Sequence, residues 1–182
     1  MLNFNKIVDD YRKTYHIFEK YEGKPWNAEA NLIELYKQIG EMIDTKRIDI
    51  EQYSDEILDT LCQIIRLMDY YKYDVYEAYK ISKTLHISTT DKLDIFMAML
   101  SNIGILSKYV MMKEKYYFKS RVNDSKYKIT DDKMMECFSL HIKYILELAK
   151  EEKIDLNKVS DRTRRKDQES FLWIEKENSN DL

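Results

Sequence analysis

Proline occurs once and glycine three times in these 182 residues. Proline breaks the helical hydrogen-bond ladder and glycine loosens it, so this chain can run long helices without interruption. The same scarcity argues against a fold of many strands, which needs turn residues at short intervals. There are two cysteines, Cys62 and Cys137, both inside apolar helical runs. That favours buried thiols in a reducing compartment over a disulfide framework, and a cytoplasmic protein is expected. Basic charge is not in surplus: 30 Lys and Arg stand against 33 Asp and Glu, a net charge of −3. A general nucleic-acid binder is therefore not expected. No apolar run is expected to reach membrane-spanning length, and the start of the sequence shows no basic-then-apolar leader, so no membrane partner is expected.

What is present suits a single all-α domain over 1–182. Hydrophobic residues make up 44%, enough for a core, and charged residues 35%, enough to solvate outer helix faces. A first helix spans 2–20, with Phe4, Ile7, Val8, Tyr11, Tyr15 and Phe18 at helical spacing. His16 within it reads as structural. Glu22 to Pro25 breaks the helix, and after Trp26, Asn27 caps a second one running to about Lys46. Residues 47–53 read as a loop, and Ser54 as the cap of a third helix. Asp74 starts a short helix through Lys83. Ser88 and Asp91, at capping-box spacing, open a helix to about Met112. Alternation over 115–129 predicts a small β-hairpin or an ordered loop. Thr130 caps a long helix to about Glu152, and Asp155 begins a last short one, followed by a basic run and a polar tail over 170–182.

The chain also repeats itself. Leu67 to Val75 resembles Leu148 to Leu156, and Gln38-Ile39-Gly40 resembles Asn102-Ile103-Gly104. Each half reads as long helix, loop, long helix, Asp-started short helix. Across from Gln38, Glu41, Glu56 and Asp59 of the first half stand Asn102, Ile105, Cys137 and Leu140 of the second, where the carboxylates are lost.

Those four first-half residues are the candidate site. Gln38 and Glu41 stand three apart on one helix, and Glu56 and Asp59 three apart on the next. Such pairs share a face. Antiparallel packing would set three carboxylates and an amide oxygen across a narrow gap, an oxygen-rich site suited to Mg²⁺. As residue types alone, they also read as ordinary solvated helix positions. Gly40 costs its helix about 1 kcal/mol against Ala, which predicts close approach there by a backbone or a ligand.

At these residues the chain resembles the MazG-like, all-α nucleoside triphosphate pyrophosphohydrolases, relatives of the dimeric dUTPases. The family pattern of Glu-x-x-Glu, spacer, Glu-x-x-Asp stands here as Gln38-x-x-Glu41 and Glu56-x-x-Asp59. Trp26, Ile39-Gly40-Glu41, Leu61 to Leu67, Asp74 and Lys83 follow the family's order, over residues 26–84. The second half, 88–166, is a degenerate echo, ending in an Arg-rich stretch. One family glutamate is Gln38 here, a weaker and uncharged ligand, and Glu34 lies one turn earlier.

The resemblance implies a helical bundle of MazG type and Mg²⁺-dependent (or Mn²⁺-dependent) cleavage of a nucleoside triphosphate to monophosphate and pyrophosphate. It implies catalytic Glu41, Glu56 and Asp59, with Gln38 beside them at the metal. Substrate contacts would come from Trp26, Lys37, Lys83, Arg162 and Arg164. The expected assembly is a homodimer or an intrachain pseudo-dimer. The alternative is a catalytically inactive nucleotide-sensing or protein-interaction module. A third class, nucleic-acid binding through Lys113, Lys115, Lys119, Arg121, Lys126 and Lys128 beside aromatics, ranks below a solvated segment.

Overall fold

The computed structural model describes residues 2–22, 26–45, 49–116 and 129–180, and every regular element among them is a helix. In chain order they are α1 (Phe4–Glu22), α2 (Ala28–Thr45), α3 (Ile50–Tyr70), α4 (Val75–Thr84), α5 (Lys92–Lys113), α6 (Asp131–Glu151) and α7 (Leu156–Asn180). The expected all-α bundle is what forms. The hairpin read over 115–129 falls largely on 117–128, outside the described residues.

Helix α3 is the hub. It packs on α1, α2, α4, α6 and α7, and the burial of Tyr53, Ile57, Leu61, Ile64, Ile65 and Met68 follows from neighbours on several sides. Its most extensive packing is against α2, the helix before it in the chain. Leu35, Ile39 and Met42 of α2 are fully buried along that seam.

The caps explain where helices begin. Asn27 accepts from the Ala30 amide at 2.8 Å, and Thr130 from the Lys133 amide at 3.2 Å. Two expected caps move. Asp49, not Ser54, starts α3, accepting from the Glu51 amide at 2.8 Å, while Ser54 lies inside the helix and donates to the Glu51 carbonyl. Asp91 itself caps α5, accepting from the Leu93 amide at 2.9 Å. In both cases a carboxylate at the helix N-terminus is favoured by the helix dipole as well as by the hydrogen bond.

The internal echo recurs in backbone detail. At the end of α3, Lys72 takes φ 61°, and the Tyr73 amide donates to the Met68 carbonyl at 2.9 Å. Eighty-one positions on, Lys153 takes φ 56°, and the Ile154 amide donates to the Ala149 carbonyl at 2.8 Å. This is the turn that closes a helix through a left-handed residue. In each case an aspartate two residues later caps the next helix: Asp74 accepts from the Tyr76 amide and Asp155 from the Asn157 amide.

The packing follows the same exchange of halves. Helix α2 packs on α3 as α5 does on α6, and α2 also meets α5. Helices α4 and α7 each cross to the other half, α4 onto α6 and α7 onto α3.

Three expectations are corrected. Gly40 is exposed, and a Cβ built on it meets nothing within 4 Å. No close approach explains it. Gly104, its counterpart in the second half, is equally open. The last helix is long, continuing to Asn180 through the stretch read as a tail. Its single apolar stripe is diluted by charges. Finally, α5 is long and apolar enough, by length and composition, to cross a membrane, contrary to the reading above. Part of it is buried against α2 and α6, where Ile95, Met99, Ile103 and Leu106 are inaccessible.

Candidate functional site

A cavity of about 280 Å³ opens where α1, α2, α3 and α7 meet near Trp26. One face of each helix lines it, at the spacing that a single helix face requires. Helix α3 contributes Asp59, Cys62, Gln63 and Arg66, and α7 contributes Ser160, Thr163, Arg164 and Asp167. Helix α1 adds Tyr11, Tyr15 and Phe18, and α2 adds Gln38.

Of the aspartates that line this cavity, Asp10 pairs with Lys6 and with Arg164, each at 3.3 Å. Neither Asp59 nor Asp167 has a hydrogen bond or an ion pair among the described residues. Burial pushes the Asp59 carboxyl up to about 7, and the negative charges of Glu56, Asp55 and Asp167 add to it. Burial alone raises Asp167 to about 6. Glu56, buried behind the cavity, is raised by burial and then by Glu41. Gln38 is only 7% exposed, and its Nε2 donates to Glu34 Oε1 at 2.9 Å. Its Oε1 is therefore turned away from that bond, buried and without a donor. Gln63 Oε1 is in the same condition.

Donors lie close by. Arg66 is 7% exposed and pairs with Glu19 Oε1 at 3.0 Å. Its guanidinium carbon sits 4.2 Å from the Trp26 ring centre and 5.2 Å from that of Tyr15, a cation–π sandwich. Its Nε has no acceptor, nor has Thr163 Oγ1 an identified partner. Arg164 is half-exposed at the rim and meets Asp10 at 3.3 Å. A second cavity of about 370 Å³ shares Tyr15, Trp26 and Arg66 as its wall.

The structure brings together Gln38, Asp59, Trp26 and Arg164 from the residues expected in sequence. Glu41 and Glu56 lie behind them, within electrostatic reach of one another but off the cavity wall. Glu41 faces Lys37 at 3.8 Å, and Lys37 is held by Glu34 at 2.7 Å. Glu34 thus serves Lys37 and Gln38 rather than replacing the missing carboxylate. Among the described residues, no three His, Cys, Asp or Glu side chains converge closely enough to hold a metal ion.

No family model matches the chain, and neither a curated protein nor a solved structure does.

Two expected phosphate contacts lie elsewhere. Lys83, exposed on α4, stands over the Tyr79 ring at 4.0 Å, on the helix that crosses to α6. Its counterpart 81 positions on is Arg164, which does reach the cavity. Arg162 Nη2 donates to Ser54 Oγ at 2.8 Å and also pairs with Asp55, so it fastens α7 to the start of α3. Of the basic stretch near 113–128, Lys113 pairs with Asp131 at 3.4 Å, and 117–128 lie outside the described residues.

Sequence reasoning missed Arg66, Gln63, Thr163 and Asp167. The spacing of Asp59, Gln63 and Arg66 was a usable signal for the α3 residues. Those on α7 needed knowledge that this helix crosses to the first half.

At the matching place in the second half, Asn102, Cys137 and His141 are buried. Asn102 Nδ2 donates to the Cys137 carbonyl at 2.7 Å and lies 3.5 Å from His141 Nδ1. His141 is fully buried, which depresses its imidazole to about 3.

Proposed function

We propose that the chain binds a nucleoside triphosphate with Mg²⁺ in the cavity between α1, α2, α3 and α7. There it cleaves the nucleotide between the α and β phosphates, giving a nucleoside monophosphate and pyrophosphate. The observation that carries this reading is one cavity lined by a carboxylate with no partner among the described residues (Asp59), by Arg66 and Arg164, and by the Trp26 ring. A cation bridged to an anion, carrying a flat ring, complements such a wall. The likeness of residues 26–84 to the MazG-like pyrophosphohydrolases supports the same substrate.

The donor set fits a divalent cation by its chemistry. Asp59 and Glu56 are carboxylates crowded by like charge, and Gln38 offers a buried oxygen with no donor. Asp59 would hold the ion from the cavity wall with Gln38 beside it, and Glu56 and Glu41, off that wall, would add only their charge. Mg²⁺ bound there would neutralise charge developing on the phosphates and acidify a bound water. Asp59 would accept a proton from the attacking water. Arg164 would hold phosphate oxygens through its planar guanidinium, and Trp26 would cover the base. Helix α7 crosses onto α3, so one chain supplies both sides of the cavity as an intrachain pseudo-dimer.

The second reading, a nucleotide sensor without turnover, is favoured by one feature. Lys37 holds Glu41, and Glu34 holds Gln38, so two of the four pattern positions are already engaged. Pyrophosphate release from a panel of NTPs and dNTPs with Mg²⁺ separates the readings. Turnover that disappears in Asp59→Asn supports the enzyme. Nucleotide uptake without turnover, with activity appearing in Gln38→Glu, supports the sensor. No uptake and no turnover removes both.

A further inference from the structure

We propose that the outward face shared by α2 and α5 is covered by the same face of a second copy of the chain, in a twofold-symmetric dimer. Nucleotide and metal play no part in this contact. None of the seven apolar side chains that carry it lines either cavity.

The face is legible in the helical spacing. On α5, Leu93, Met97, Leu100, Gly104 and Met111 follow the four-and-three spacing of a coiled-coil seam, within about 60° of one another around the helix. On α2, Ile33, Tyr36, Gly40 and Ile43 keep the same spacing, within about 80°. The apolar side chains among them are between 36% and 69% exposed. A helix apolar on all sides is ordinarily covered on all sides. Helix α5 is apolar enough to cross a membrane, yet its outer stripe lies bare in the single chain.

The two stripes make one patch. Helices α2 and α5 pack together. Tyr36 Oη lies 3.2 Å from Ser107 Oγ, and Tyr116 Oη donates to Glu29 Oε1 at 2.6 Å. The two helices are therefore antiparallel, with Gly40 near the level of Gly104. On α2 the charged Lys37, Glu41 and Asp44 turn to the side away from Tyr36, and on α5 Asp94 and Lys108 turn away from Ser107. The apolar stripes thus adjoin, with charge on the outer flanks. The two glycines, open on this side, leave a shallow hollow at the centre.

A second copy is the occupant that these features fit. At about 200 Å² for a large residue, the exposed fractions of the seven give about 700 Å² of bare apolar surface, against about 800 Å² per partner in a standard interface. The rim carries both signs, so a copy meets no wall of like charge. A lipid surface selects a basic rim, which this one lacks. Two such helix pairs face to face form a four-helix layer.

The test is sedimentation velocity of the full chain. At about 50 µM the expected species has twice the mass of the 22.1 kDa chain, since interfaces of this size bind with Kd of about 1 µM or tighter. Ile33→Glu and Met97→Glu should each weaken the dimer about tenfold or more, by burying an unpaired charge from each copy. Leu172→Glu on α7, where the side chain is exposed to the same degree as Met97, should leave Kd within about twofold, as expected of an isolated surface apolar residue. Circular dichroism checks that each variant folds, and uncharged Ile33→Gln and Met97→Gln repeat the measurement for any that does not. A wild type that stays monomeric up to about 100 µM overturns the proposal, and co-sedimentation of that monomer with anionic vesicles would assign the face to a lipid surface instead. A dimer that survives both substitutions, or one that Leu172→Glu weakens equally, also overturns it.

Discussion

Replacing Asp59 by Asn should make the protein more stable, and only above acidic pH. The Asp59 carboxyl moves from its ordinary 3.8 to about 7 in the folded chain, chiefly through burial. A raised folded value means that the folded state binds the extra proton between those limits. Asp59 therefore favours folding fully below pH 3.8, and that contribution is lost as pH rises through 7. At about 1.4 kcal/mol per pH unit the loss reaches about 4 kcal/mol. Asp59 is only half-buried, and screening by water reduces this to about 2 kcal/mol. Asn keeps the shape and carries no charge, so the variant should gain about that much at pH 8 and almost nothing at pH 4. In a domain of this size the gain is roughly 4–8 °C in Tm. Urea unfolding at the two pH values measures it. A variant less stable at pH 8, or one whose gain is the same at both, would refute the reasoning.

Other expectations follow from the same structure. Gly40→Ala and Gly104→Ala should each stabilise by about 1 kcal/mol in a thermal melt, since both lie open in helices and an added methyl meets nothing. Burial holds His141 neutral, with its imidazole near 3 against an ordinary 6.5. The unfolded chain takes up that proton first, so stability is full above pH 6.5 and falls below it, by about 2 kcal/mol at pH 5. Imidazole resonances should show His141 still neutral at that pH, and a charged ring in a folded protein would contradict the burial. Asp49→Ala should cost about 1 kcal/mol through loss of the α3 cap, whereas capping predicts no such penalty for Ser88→Ala.

Much of this fold is visible in residue order. With so few helix breakers, the periodic apolar positions of α2, α3 and α6 mark one face each, and Asn27, Asp74 and Thr130 mark starts by their side-chain chemistry. Asp49 is inconspicuous as a cap because the periodic run begins in earnest only at Tyr53, although Ile50 already belongs to it. Helix α7 reads as short because Leu156, Val159 and Phe171 are thinly spread among charges. The site divides in the same way. Asp59 and Gln38 stand out by spacing within one hairpin. Lys83 was chosen where Arg164 reaches the cavity, because the crossing of α4 and α7 between halves is a property of packing. Asp167 carries no local signal, and its meaning comes from which helices meet.

The most direct measurement is calorimetric titration of the full chain with nucleoside triphosphate analogues that cannot be cleaved between the α and β phosphates, with and without Mg²⁺. The account predicts saturable, Mg²⁺-dependent uptake of at least one base, with Kd between roughly 1 µM and 1 mM, the usual range of substrate affinity. It also predicts that Asp59→Asn abolishes the Mg²⁺ dependence. Heats of dilution alone for every base, with Mg²⁺ present, would contradict it.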